Sequence, residues 1–191
     1  MNIVPSLAES WEQPDGMTTI FHLKKGIKFH NGDELKASDV KFSLDRMKAS
    51  PQVSHIIGTV DKIEVIDDYT VKLILSEPSS PLLFGLAHPL TAILNEKDTI
   101  AKNDMIATEP VGTGPYKFVE WGSGEKIELV AFDDYFEGRP KIDNLTYRAI
   151  TENSSRLAAL ETREIDIAYN MDAIDSGMIE KNPDLQLISK P

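Results

Sequence analysis

Residues 60–75 place the tightest constraint on the fold. Val60, Ile63, Val65 and Ile66 precede the pair Asp67-Asp68, and Tyr69, Val71, Leu73 and Leu75 follow it. Apolar residues at alternate positions put one face of a strand against a core. Two such runs joined by two turn-forming residues predict a β-hairpin. A chain carrying this segment contains antiparallel pairing and something to cover its apolar face.

The flanking sequence supplies candidates for both. Thr18–Leu23 is rich in β-branched and aromatic residues and follows Pro14-Asp15-Gly16, which predicts a strand entered from a turn. Ile27 and Phe29 lead into His30-Asn31-Gly32-Asp33, where Gly32 fits a turn requiring positive φ. Ser38 is a candidate N-cap, with Asp39 at the positive end of a helix from Asp39 to Lys48 that presents Val40, Ser43, Leu44 and Met47 on one face. Ser50-Pro51 breaks it. Pro78 and Pro81 frame a loop, Leu82–Leu86 predicts a short apolar helix, and Pro89 closes that piece.

Glu109–Pro115 is the densest proline and glycine cluster in the chain, and it predicts a domain junction. Beyond it, Tyr116–Trp121 and Lys126–Phe132 read as a second hairpin across Gly122-Ser123-Gly124, and Ile142–Ile150 as a further strand. A helix capped by Asn153 or Ser154 follows, then strand Ile165–Ala168, a short helix over Ala173–Glu180 and strand Leu185–Ile188. The expected order after the junction is β-β-β-α-β-α-β, and the expected fold class is mixed α/β of the α+β kind.

Composition limits the partners. Twenty Lys+Arg against 31 Asp+Glu leave a formal charge of −11 with no basic stripe, which disfavours nucleic-acid binding through phosphates. There is no cysteine, hence no disulfide, thiolate nucleophile or Cys-ligated metal. No run reaches the roughly 20 apolar residues of a membrane span. The segment from Met1 to Pro5 lacks the basic and apolar regions of a secretory signal.

No catalytic constellation emerges from the residues. His22, His30, His55 and His88 share no helical metal-ligand spacing, so no metal site is expected. Asp67-Asp68 and Asp133-Asp134 fit turns in which Asp bonds its own backbone better than they fit carboxylate catalysis or calcium binding. Gly112-Thr113-Gly114 lacks the third glycine of a phosphate loop and runs into Pro115. Trp11, Phe29, Trp121 and Tyr135 are possible ligand platforms, although packing is the expected role of both tryptophans.

Three blocks, in order, resemble the bacterial extracellular solute-binding proteins of family 5. The first is A-E-S-W-E-Q-P-D-G-M-T-T-I-F-H-L-K-K-G-I-K-F-H-N-G-D-E-L-K-A-S-D-V over residues 8–40. The second is P-V-G-T-G-P-Y at 110–116, followed by E-L-V-A-F-D-D-Y at 128–135. The third is R-L-A-A-L-E-T-R-E-I-D-I-A at 156–168, where Arg163 stands in the place of a common glycine and must either accept a left-handed conformation or end its helix differently.

The resemblance implies part of a periplasmic-binding-protein-like type II fold. Residues 1–115 would form most of an accessory domain, and 116–191 part of the first lobe, with the opposing lobe lying outside the chain. It implies the substrate-binding component of an ABC importer, working outside the cytoplasm with a membrane permease and without a cofactor, in a family that is exported and so carries a signal ahead of Met1. The cargo it implies is a peptide, or alternatively nickel or another small solute, with Thr113 and Tyr116 near the cleft unless that turn is only a structural junction. One open wall implies weak binding by these residues alone. The competing classes are a carboxylate-dependent hydrolase, which would gather perturbed carboxylates in a cleft, and an interaction module using a sheet edge.

Overall fold

The computed structural model describes residues 2–188, apart from the Asp104 side chain. Strands β1 (Ala8–Asp15), β2 (Thr18–Leu23), β3 (Val60–Asp67) and β4 (Thr70–Leu75) form one antiparallel sheet in the order β1-β2-β4-β3. The β3–β4 hairpin forms as its alternation predicts, but its two-residue turn is Asp68-Tyr69 rather than Asp67-Asp68, because Asp67 still pairs with Thr70. In β4 every second residue is buried, namely Val71, Leu73 and Leu75. Its partner β3 is an edge strand whose register shifts near both ends, and this carries Val65 and Ile66 out to the surface.

Helix α1 (Ala37–Lys48) packs on β3 and β4 and covers that face. Leu44 and Met47 join Leu23, Ile57, Val60, Ile63, Leu73 and Leu82 in one core. The N-cap is Lys36 rather than Ser38, which is exposed. Asp39 does the capping instead: its Oδ2 accepts from the Lys36 N–H at 2.9 Å, and its Oδ1 accepts from the Glu96 N–H at 2.9 Å. Ser43, one turn on, accepts from the Leu94 N–H at 2.9 Å. Two buried polar residues of α1 thereby fasten the segment that opens α3 (Glu96–Lys102). Neither α3 nor β1 has an apolar period; the local mark of α3 is its N-cap Asn95, which accepts from the Asp98 N–H at 2.8 Å.

Helix α2 (Leu82–Leu86) lies where the prolines predict. A Cβ placed on Gly85 would come within 2.6 Å of the Ile56 carbonyl oxygen, so the glycine permits this approach. A second cluster gathers Ile27, Phe29 and Leu35, which flank the His30–Asp33 loop, with Val111. Gly32 sits at φ +92°, as the turn requires.

Strands β5 (Tyr116–Gly122), β6 (Lys126–Ala131) and β7 (Asn144–Arg148) form a sheet in that order. By compactness the chain divides into two units. The first runs through Val119 and includes Glu128–Leu145; the second comprises Glu120–Ile127 and the chain from Thr146 onward.

In the second unit, α4 (Asn153–Glu161) and α5 (Ser176–Ile179) bury Leu157, Ala159 and Ile179. Glu152, not Asn153 or Ser154, is the N-cap of α4. Asn153 instead accepts from the Asp172 N–H at 3.2 Å and from Arg156 at 3.2 Å. Arg156 also donates to the carbonyls of Ile150 (2.9 Å), Thr151 (2.9 Å) and Asn170 (3.0 Å), tying the two ends of the helical segment together. The expected strands Ile165–Ala168 and Leu185–Ile188 are absent from the described residues. A strand exists only through ladder bonds to a neighbour, and neither segment has one there. Trp121, expected to pack, is 48% exposed.

Arg163 accepts the left-handed conformation, at φ +61°. The Glu164 N–H reaches the Ala159 carbonyl at 2.8 Å and the Arg163 N–H reaches that of Leu160 at 3.1 Å, the bond pair of a Schellman C-cap. The Arg163–Asp184 contact at 3.4 Å joins two well-exposed side chains and adds little. Arg163→Gly is therefore expected to stabilise the second unit by roughly 1 kcal/mol, through relief of the left-handed strain. An unchanged or lower urea midpoint would contradict this.

Candidate ligand-binding site

The Pro110–Tyr116 turn is held by His30. The His30 N–H donates to the Gly112 carbonyl at 2.9 Å. Its ring spans the same turn, with Nδ1 3.3 Å from the Gly112 nitrogen and Nε2 2.9 Å from the Gly114 oxygen. An amide can only donate and a carbonyl can only accept, so both contacts are satisfied by the neutral imidazole carrying its proton on Nε2. Burial pushes the His30 pKa below its ordinary value, the Gly114 bond works against that shift, and the Lys117 charge adds to it. The Phe132 ring packs edge-on at 5.1 Å. None of this was visible from the spacing of His30, which lies 82 residues before Gly112.

The turn borders an open hollow of ≈ 700 Å³ within the first unit. Leu7, Trp11, Phe21, Leu83 and Phe136 give it apolar walls, and Thr113 stands on its lining beside Gly112 and Gly114. Such a wall suits apolar or amphipathic groups oriented by a few polar atoms. Tyr116, the half-buried first residue of β5, is not part of this lining. Of the candidate aromatic platforms, Trp11 and Tyr135 line the hollow, Trp11 stacking obliquely on Phe21 at 6.5 Å. Phe29 is wholly buried and belongs to the core, and Trp121 lies in the second unit.

The two acidic pairs are not brought together at one site, although Asp67 and Asp68 border a shallow surface hollow with Glu9 and His22. Asp67 and Asp68 are exposed at the β3–β4 turn, where Asp67 accepts from the Tyr69 N–H at 2.8 Å. Asp133 pairs with Arg139 at 2.6 Å and Asp134 with Lys28 at 2.8 Å, again on the surface. Among the described residues no three His, Asp or Glu side chains meet in a metal-binding group.

A separate polar cluster joins the loop after β2 to β4. Glu34 accepts from the Tyr69 hydroxyl at 2.8 Å and the Gly26 N–H at 2.8 Å, and pairs with Lys36 at 3.0 Å. The Tyr69 bond, then Gly26 and Lys36, hold its carboxyl at about 2, down from 4.5. A depressed carboxyl contributes stability that is complete above its unfolded value and lost as pH falls through the folded one. The stability difference between the native chain and Glu34→Gln is thus expected to be constant above about pH 5 and to shrink between there and about pH 2. Urea titrations of both proteins at stepped pH measure it; a difference that grows on acidification would refute it.

The sequence and the fold both match a known class. Residues 2–191 match the family described as "Bacterial extracellular solute-binding proteins, family 5 Middle", and the chain belongs to that family. It is 34% identical over 197 residues to the glutathione-binding protein GsiB of Pectobacterium atrosepticum, covering 100% of this chain and 38% of GsiB. Among solved structures it superposes on the ABC transporter-associated periplasmic binding protein DppA from Helicobacter pylori in complex with the peptide STSA. The TM-score there is 0.89 and the identity 33%, over 95% of this chain and 41% of DppA. The binding protein AgaA from A. tumefaciens R10, in complex with agropinic acid, gives 0.87 and 37% over 94% of this chain and 37% of AgaA. The fold is therefore the mixed α/β fold of periplasmic binding proteins over the part it spans, well under half of these relatives' length. No helix among the described residues is long and apolar enough to cross a membrane.

Proposed function

We propose that the chain is part of the substrate-binding component of an ABC importer that carries short peptides, acts outside the cytoplasm and delivers its cargo to a membrane permease without itself catalysing a reaction. The observation that carries this reading is the match to family 5 along the whole chain, with 34% identity to a glutathione-binding protein. Glutathione is itself a tripeptide, and the STSA complex of DppA adds a second peptide binder of similar fold. An apolar hollow with Thr113 and backbone groups at its rim is consistent with reading an extended peptide through its main chain while leaving side chains room.

In this reading residues 1–115 make most of the accessory domain and 116–191 part of the first lobe. Thr113 and Tyr116 lie near the cleft, Thr113 as a hydrogen-bonding group and Tyr116 as a flanking aromatic. Native mass spectrometry of the protein at its natural length, followed by calorimetry with glutathione and di- and tripeptides, tests it. A retained short peptide supports the reading. A retained nickel chelate or sugar–amino-acid conjugate would overturn the cargo while leaving the importer role, and turnover of a bound peptide would overturn the role.

A further inference from the structure

We propose that His30 is the positioning residue of the candidate binding site, a clasp that sets the Gly112–Gly114 turn and with it Thr113, and that opens when the ring takes a second proton. The inference rests on the reading that this turn borders the ligand. Three hydrogen bonds run from one residue to one turn: backbone N–H to the Gly112 carbonyl, Nε2 to the Gly114 oxygen, and the Gly112 N–H to Nδ1. Thr113 lies between the two anchored glycines, so its place on the hollow's lining is set by the clasp. Protonated imidazole has no acceptor, so a proton on Nδ1 must break the Gly112 bond and set two donors against each other.

The surrounding charges leave the ring as the responsive group. Lys117 lies nearest in effect and opposes a second positive charge; its ammonium sits 5.6 Å from the centre of the Phe132 ring that packs on His30. On the segment after Phe132, Asp133 is taken by Arg139 and Asp134 by Lys28. On the histidine's own loop Asp33 accepts from Asn31 at 3.2 Å, and on the turn side Glu109 is exposed. The Phe132 N–H bond to the Pro115 carbonyl, at 2.8 Å, holds the far end of the turn, so release at His30 loosens only the 112–114 stretch.

Nitrogen-15 histidine spectra and site-resolved amide exchange on the full chain test this. At neutral pH His30 is expected to read as the Nε2–H tautomer. His30→Asn places an oxygen where Nδ1 stood and is expected to keep the Gly112 amide protected, whereas His30→Gln and His30→Ala lack that acceptor and are expected to raise its exchange about tenfold. The native Gly112 amide, corrected for intrinsic exchange, is expected to lose protection as His30 protonates; that of His30→Asn is not. An Nδ1–H or doubly protonated ring at neutral pH, or equal exchange in all three variants, overturns the proposal. Glutathione titrated into the protein at natural length separates the two readings. A loss of about fivefold or more in His30→Ala supports both. Unchanged affinity with a released Gly112 amide keeps the clasp for the turn but removes the turn from the ligand.

Discussion

Replacing Phe29 by alanine is expected to destabilise the first unit by roughly 3–5 kcal/mol, the largest loss from any single truncation considered. The ring is 0% exposed and fills the space among Ile27, Leu35 and Val111, so its removal leaves a cavity as well as forfeiting apolar burial. The site is braced against collapse. The Phe29 N–H is bonded to the Asp33 carbonyl at 2.8 Å and its own carbonyl accepts from Gly32 at 2.9 Å, which fixes the loop on both sides. Val111 belongs to the turn that His30 holds, so the damage also reaches Thr113. Urea unfolding followed by Trp11 fluorescence in a Trp121→Phe background reads the first unit alone. Phe29→Leu, which keeps most of the volume, provides a folded intermediate case if the alanine variant does not fold. A loss below about 1 kcal/mol for Phe29→Ala would mean that this cluster is not a closed core.

If the chain is, as proposed, part of a longer peptide-binding protein, the 191 residues by themselves are expected to bind glutathione or a tripeptide at least about 100-fold more weakly than that longer protein, a difference of roughly 3 kcal/mol. Small-molecule sites bury most of the ligand's surface, and hinged binders do so between two walls. The hollow described here is open, and the chain spans only 38% of the glutathione-binding relative. A single wall leaves much of a peptide's main chain bonded to water, so there is little desolvation to gain. Calorimetry on both proteins decides this. Comparable affinities would show that the hollow in the first unit is sufficient, and would move the candidate site wholly into it.

Much of the local structure was legible because its causes are local. Alternation at Val71, Leu73 and Leu75 and the prolines around Leu82–Leu86 predicted elements that the structure contains, the helix with the same bounds and the strand starting one residue later, at Thr70. The elements that escaped have their causes elsewhere in the chain. β1 is a polar segment that is a strand because β2 pairs with it, and α3, capped locally by Asn95, is anchored at its start by a carboxylate and a hydroxyl from α1, more than 50 residues earlier. Ile165–Ala168 failed in the opposite direction: it alternates as a strand does, yet no neighbour pairs with it among the described residues. In the candidate site, Thr113, which the family resemblance points to, lines the hollow, whereas no local spacing marks His30, the residue that holds its turn.

By itself the sequence determined the family, the first hairpin, the apolar periods that build the main core, and the unusual demand on Arg163. These follow from side-chain chemistry and spacings of a few residues, over which backbone geometry is nearly invariant. Only the tertiary structure decided that Asp39 rather than Ser38 caps α1, that Phe29 is core rather than platform, and that His30 meets Gly112 and Gly114. Each of those outcomes depends on which surfaces meet after the chain has closed on itself. A hydrogen bond across 82 residues leaves no periodicity in the chain that makes it.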